Sequence, residues 1–88
     1  MEKFKLGQVV ATQGALKELS REEISGALSR HASGDWGDLC KSDKKENEFA
    51  LKEGFRILSA YKSGKGKKFW VITEADRSAT TVLLPEEY

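Results

Sequence analysis

FRILSAYKSGKGKKFWVITEADRSATTVLL, residues 55–84, decides the fold. Three runs rich in Ile, Val, Tyr, Trp, Phe and Thr, at residues 55–62, 68–74 and 79–84, alternate with a period of two. Successive side chains on an extended backbone point to opposite faces, so this is strand periodicity. Two short spacers separate the runs, Ser63-Gly64-Lys65-Gly66-Lys67 and Ala75-Asp76-Arg77-Ser78. Connections this short close antiparallel hairpins, and the segment reads as a three-stranded meander. If each loop closes with four residues, Lys62 faces Lys67 and Glu74 faces Ala79. One face then carries Leu58, Ala60, Phe69, Val71, Val82 and Leu84 and is the expected core. The other carries Ile57, Ser59, Tyr61, Trp70, Ile72, Thr81 and Leu83. A slip of one residue in either hairpin rearranges these pairs.

Upstream of Gly54 the patterns are helical after a first strand. Residues 4–11, FKLGQVVA, read as that strand. Thr12 caps a short helical turn through Leu19. Ser20-Arg21-Glu22-Glu23 is a capping box, in which serine and glutamate satisfy each other's backbone amides. Ile24, Ala27, Leu28 and His31 follow at i, i+3, i+4 and i+7, one face of a helix ending near Gly34. Trp36, between Gly34 and Gly37, is expected to be buried against that helix. Ser42-Asp43 with Glu46 predicts a further capped helix running to Glu53, with Phe49, Ala50 and Leu51 as its apolar residues. The order β-α-α-β-β-β predicts one α+β domain over residues 1–88, helices on one face of the antiparallel meander, with the first strand free to join the sheet.

The helices supply Ile24, Ala27, Leu28, Phe49 and Leu51, enough apolar surface for one sheet face. The face centred on Trp70 is therefore expected to be open or buried between chains, by a protein partner or in a homodimer. The tail, residues 85–88, reads equally as a disordered end and as a segment folded back on the sheet.

Composition excludes several classes. Lys plus Arg number 15 and Asp plus Glu 14, a net charge of +1, with 39% hydrophobic and 33% charged residues. Disordered chains are poorer in apolar residues and more lopsided in charge. No apolar run approaches the roughly 20 residues of a membrane helix. Met1-Glu2-Lys3 opens a polar start with no signal-peptide core behind it. A single cysteine forms no internal disulfide, consistent with a reducing cytoplasm. No membrane contact is expected.

His31 and Cys40 are the only soft metal ligands, too few for a zinc site, so neither metal nor cofactor is expected. Cys40 reads as a small, partly buried hydrophobe. His31 reads as a core-edge histidine whose charge complements its helix end. A sharper alternative joins it with Lys62, Ser78, Thr80 and Arg77, because the helix-then-meander order resembles barnase-type and toxin-type ribonucleases. RNA cleavage by 2′-hydroxyl attack needs a base, an acid and a cation for the phosphorane. There His31 serves as base or acid, Arg77 as phosphate clamp and Glu74 as second base. Lys65, Lys67 and Lys68 form a basic hairpin tip that reads as a solvated loop or a nucleic-acid contact, although +1 overall supplies little electrostatic drive. The turn Glu74-Ala75-Asp76-Arg77-Ser78 is a binding candidate; its plainer reading has Asp76 capping its own backbone and Arg77 pairing with Glu74 or Asp35.

RHASGDWGDL (residues 30–39) and RILSAYKSGKGKKFWVITEADRSATTVLLPEEY (residues 56–88) resemble a family of short bacterial proteins carried on plasmids and integrated mobile elements. LGQVVAT followed by GAL, in residues 6–16, fits the same family. The resemblance implies a plasmid-related setting and brings no activity, cofactor or catalytic residue with it. A near-neutral single domain without an active-site signature favours interaction over catalysis. The expected function is a macromolecule-binding accessory module, with Lys65, Lys67, Lys68, Trp70, Asp76 and Arg77 as binding candidates. A toxin-type ribonuclease is the alternative, and a DNA-binding accessory a weaker one.

Overall fold

At Gly54 a left-handed backbone, φ 82°, stops the last α-helix, and three strands and a short 3-10 turn, Pro85–Glu87, follow it. The computed structural model describes residues 2–88, so Met1 of the polar start lies outside the described residues. Strand β1 (Gln8–Ala11) leads into helices α1 (Gln13–Glu18), α2 (Arg21–Ala32) and α3 (Lys41–Glu53). Strands β2 (Ile57–Lys62), β3 (Lys68–Thr73) and β4 (Ala79–Leu83) then form the antiparallel meander. The fold is α+β, in the expected β-α-α-β-β-β order apart from a third helix. β1 joins the sheet parallel to β4, which gives a mixed sheet of order β1-β4-β3-β2.

Helix ends follow local chemistry. Thr12 Oγ1 accepts from the Ala15 amide, and Ser20 and Glu23 make both bonds of the capping box at 3.1 and 2.9 Å. The cap expected from Ser42-Asp43 does not form. α3 begins at Lys41, and its N-cap is Cys40, which makes no side-chain capping bond. The first strand is shorter than its pattern predicts. Gly7 turns the chain (φ 66°), so Phe4 leaves the sheet and stacks on Trp36, with ring centroids 6.2 Å apart.

The β3–β4 register is the expected one, Glu74 donating to Ala79 O at 3.0 Å. The β2–β3 register is shifted by one residue. Lys62 faces Lys68, because Gly66 (φ 81°) adds a bulge after the turn that its amide closes onto Ser63 O. The slip turns every β2 side chain over. Ile57, Ser59 and Tyr61 lie under the helices with Phe69, Val71, Thr73, Thr80, Val82 and Leu84, all buried. Leu58 and Ala60 move to the opposite face with Trp70. Ala15, Leu19 and Ala27 close the main core from the helical side.

α3 does not lie across the sheet; it meets the outer edge of β2. Asn47 Nδ2 donates to Leu58 O (2.6 Å), and the Leu58 amide donates back to Asn47 Oδ1 (3.2 Å). Next along the edge, Ala60 N donates to Trp36 O (3.2 Å) and Asp38 N to Ala60 O (2.7 Å). This close approach requires Gly37, where a Cβ would stand 2.0 Å from Ala60 O. Phe49, expected in the core, consequently stays 58% exposed, because α3 turns Asn47 and Ala50 toward β2.

Trp36 is buried, as expected. It packs on His31 of α2 and into the cluster of Ala50 and Ile57, and its indole N–H donates to Glu48 at 2.8 Å. Trp36→Ala empties the joint between α2, α3 and β2 and is expected to cost about 3–5 kcal/mol in urea unfolding. A loss below about 1 kcal/mol, the range of ordinary surface changes, shows that the joint is not held there.

Candidate functional site

His31 has no exposed surface, and its imidazole is bonded at both nitrogens. Nδ1 meets Ser59 Oγ at 2.5 Å and Nε2 meets Thr73 Oγ1 at 2.9 Å. Thr73 Oγ1 lies 2.7 Å from Thr80 Oγ1, which donates to the Leu6 carbonyl at 2.6 Å. One carbonyl at the end of this chain orders all its protons. Thr80 donates to Leu6, so Thr73 donates to Thr80 and must accept from Nε2–H; Nδ1 then accepts from Ser59. His31 is therefore a neutral Nε2–H tautomer. Burial, aided by the Arg77 charge, lowers its pKa from 6.5 to about 4. The expectation of a charged histidine at a helix end is corrected: the ring is inside, uncharged, and bonded to the sheet.

Arg77 stands in the left-handed region (φ 61°), unusual for a non-glycine residue. The position aims its guanidinium at backbone carbonyls, Nη1 at Phe55, Glu74 and Ala75 (2.7–3.1 Å) and Nη2 at Ala50 (3.1 Å). It thereby ties the end of α3 to the β3–β4 turn, and it pairs with neither the Glu74 nor the Asp35 carboxylate. Asp35 instead holds Arg30 through two bonds of 2.8 and 3.2 Å, and that pairing lowers the Asp35 pKa. Asp76 accepts from the Ser78 amide at 3.0 Å, and the Ser78 hydroxyl, followed by that amide, keeps its carboxyl below the usual range. His31 and Arg77 share the Phe4 ring, while Glu74 is exposed at the turn. The three ribonuclease candidates thus form no common solvent-facing cluster.

In the β2–β3 tip, Lys62, Lys65 and Lys68 are exposed, and Lys67 bridges to Glu86 at 3.2 Å. Glu23 accepts from the Gly64 amide at 2.6 Å and holds the tip against the start of α2. Cys40 is exposed, not partly buried, because it sits at the solvent-facing start of α3. Among the described residues no three His, Cys, Asp or Glu side chains are grouped to hold a metal ion. Nor does any described helix have the length and apolarity to cross a membrane.

The face opposite the helices is partly covered. Trp70 is half-buried; Tyr88 packs edge-on against it at 5.8 Å, and Arg56 lies over the Tyr88 ring at 5.8 Å. The tail folds back, because Glu87 accepts from Thr12, Gly14 and Leu84 and so pins the last turn to the start of α1. Ile57, expected beside Trp70, is on the other face with no exposed surface. Beyond Arg56 a groove of about 700 Å³ runs between α3 and β2, with Leu39, Phe49, Phe55 and Leu58 as its apolar lining and Asp43 and Lys45 on its rim. Phe49 and Phe55 stack at its mouth, 5.7 Å apart and 24° from parallel, each more than half exposed. Leu58 joins this groove to the Trp70 face. Of these residues only Trp70 is among the binding candidates the sequence predicts; the phenylalanine pair is not, and its one signal is Phe55 at the strand start one residue beyond Gly54.

No family model, no curated protein and no solved structure matches the chain.

His31 gives the protein a measurable pH dependence. Unfolded, it takes up a proton near pH 6.5; folded, it resists until about pH 4. Between these values the unfolded chain binds more protons, so stability falls as pH falls, by up to about 3 kcal/mol in total. The lowered carboxylates begin to contribute only near and below pH 4.5. Urea midpoints from pH 7 to 5 are expected to decline for the wild type and to stay level for His31→Asn. A level wild-type curve contradicts the buried neutral ring.

Proposed function

We propose that the chain is a macromolecule-binding accessory module of a mobile element, acting in the cytoplasm and engaging a protein partner along the groove between α3 and β2. The observation that carries this reading is the exposed Phe49–Phe55 stack at the groove mouth, continued through Arg56 and Tyr88 to Trp70. Water-exposed stacked phenylalanines forgo burial worth about 1.5–3 kcal/mol per ring. Aromatic side chains beside arginine are also the residues that dominate protein interfaces. The rim carries both signs of charge, which suits polypeptide better than phosphate. The resemblance to plasmid-borne proteins supports the mobile-element setting.

The ribonuclease alternative needs a base that reaches RNA, whereas His31 is enclosed and Arg77 is occupied by four carbonyls. The DNA-binding alternative rests on Lys65, Lys67 and Lys68, one of which already faces Glu86. RNA cleavage by wild type and by His31→Ala and Arg77→Ala addresses the first. The salt dependence of a gel shift addresses the second.

Panning a random peptide display library on the wild type is expected to enrich sequences with apolar anchors. Phe49→Ser with Phe55→Ser is expected to weaken the selected peptides by about tenfold or more, with a stability change below about 1 kcal/mol. Peptides that bind the double variant equally well, or no enrichment, overturn the groove reading.

A further inference from the structure

The two edges of the sheet are built differently. β2 is covered at Leu58 by Asn47 and at Ala60 by residues 36–38. Among the described residues no strand pairs with the outer edge of β1, the side away from β4. The Gln8 amide donates to Ser78 O and the Thr12 amide to Val82 O, at 2.9 and 3.0 Å. In the alternation of a parallel ladder, Gln8, Val10 and Thr12 therefore turn their backbone groups toward β4. Val9 and Ala11 turn theirs outward. Among the described residues no bond outside the sheet is made by either of those amides. Val9 and Val10, on opposite faces of this strand, remain 45% and 42% exposed.

Proteins commonly protect such an edge with lysine, proline or a bulge. This one has none of them. Residues 6–16, LGQVVATQGAL, carry no charge at all in a chain that is one-third charged. We propose that the outer edge of β1 is a self-recognition surface on which a second copy of this chain pairs antiparallel. The occupant follows from symmetry. The outward groups of Val9 and Ala11 are one residue apart on either side of Val10, so a two-fold axis through Val10 sets Val9 opposite the second copy's Ala11. That register makes four main-chain hydrogen bonds and leaves Val10 facing its own copy. In an isologous contact a residue on the axis meets its own copy, so a charge there is opposed by the same charge, and charges close to the axis lie near their own copies. The charge-free stretch removes that penalty. On the helical side, the second copy's Val9 arrives at Ala11, part of a mainly apolar pocket lined by Leu16, Leu19, Ile24 and Leu28 together with Arg21 and Ser25. Leu16, 62% exposed, stands at that rim. The result is one eight-stranded sheet. This surface is distinct from the aromatic groove, and the proposal does not rest on it.

The contact is small, near the low end of specific interfaces, so the dimer is concentration-dependent. Sedimentation velocity of the full chain over a concentration series is expected to show a reversible monomer–dimer equilibrium. Val10→Lys is expected to weaken it by about tenfold or more, since like charges directly opposite on neighbouring strands are destabilising. Mixing Val10→Lys with Val10→Glu is expected to restore association. A wild type that stays monomeric at every concentration overturns the proposal, as does a folded Val10→Lys that dimerises like the wild type. Cysteine cross-linking in a Cys40→Ser background tests the register independently of those charges. Val10→Cys is expected to oxidise to a covalent dimer, its Cα pair being about 4.5 Å apart at a non-hydrogen-bonded site. Val9→Cys, which faces Ala11 of the other copy, is expected to remain monomeric under oxidation. Equal cross-linking at both positions overturns the pairing.

Discussion

The bond line running Ser59–His31–Thr73–Thr80–Leu6 holds the layers of this fold in one arrangement. It starts on β2, passes through α2, crosses β3 and β4, and ends on the segment leading into β1. Apolar contacts alone leave a helix free to slide over a sheet, since burial is non-directional. A buried imidazole is directional. Moving α2 along the sheet leaves the Ser59 hydroxyl and both ring nitrogens without these partners, at about 1–3 kcal/mol for each unsatisfied group, while Thr73 keeps its bond to Thr80. Among the described residues every buried side-chain polar atom has a partner, so the native register is the one in which this cost is absent. Neutrality of the ring is part of the same device. A proton at Nδ1 places a charge in a site with no exposed surface, which burial opposes first and the Arg77 charge opposes further.

The second constraint is the sealed edge of β2. Asn47 presents an amide that mimics a peptide unit, giving to Leu58 O and taking from Leu58 N as a neighbouring strand does. Residues 36–38 repeat the pattern at Ala60, and Tyr61 fastens the same loop through its hydroxyl, which donates to Asp35 O at 2.6 Å. Burial, which pushes the Tyr61 phenol up to about 12, keeps that proton in place at any ordinary pH. Because α3 serves as an edge cover, its orientation is dictated by Asn47 and Ala50. Phe49, between them in number and away from them around the helix, is left outside. The exposed aromatic stack is thus a consequence of how the edge is closed, and it places the groove at the β2 side of the sheet.

Local chemistry was legible in the sequence. The Ser20–Glu23 box, the Thr12 cap, the stop at Gly54 and the period-two runs each depend on neighbours within a few residues, and each forms where it was read. The β2–β3 slip was not legible, because both four-residue closure and a bulge at Gly66 suit the same glycine-rich loop. That single backbone angle decided which face of β2 is buried. It also hides the histidine network: four-residue closure puts Ser59 away from the helices and leaves Thr73 an ordinary strand residue, and Thr80 is joined with His31 only in the ribonuclease reading. With β2 in its true register, Ser59, Thr73 and Thr80 line up opposite the His31 face of α2. Phe49 was placed in the core for its helical spacing, and only the tertiary position of α3 at an edge, not over a face, puts it outside.

The arrangement of edges sets what the two surfaces can do together. The groove lies at β2 and the open edge at β1, the two ends of the order β1-β4-β3-β2. Pairing through β1 therefore buries neither groove and carries the two to the far ends of an eight-stranded sheet. With seven gaps at the usual strand spacing, the β2 edges stand roughly 34 Å apart before twist is considered. Two sites on one body bind a repeated or dimeric partner with an effective local concentration that a monomer lacks, so a weak contact at each groove becomes a tighter one overall. A groove whose exposed aromatics are Phe49 and Phe55 is a small anchor by itself. Under the proposed reading, pairing of two copies through β1 would double that anchor without enlarging either surface.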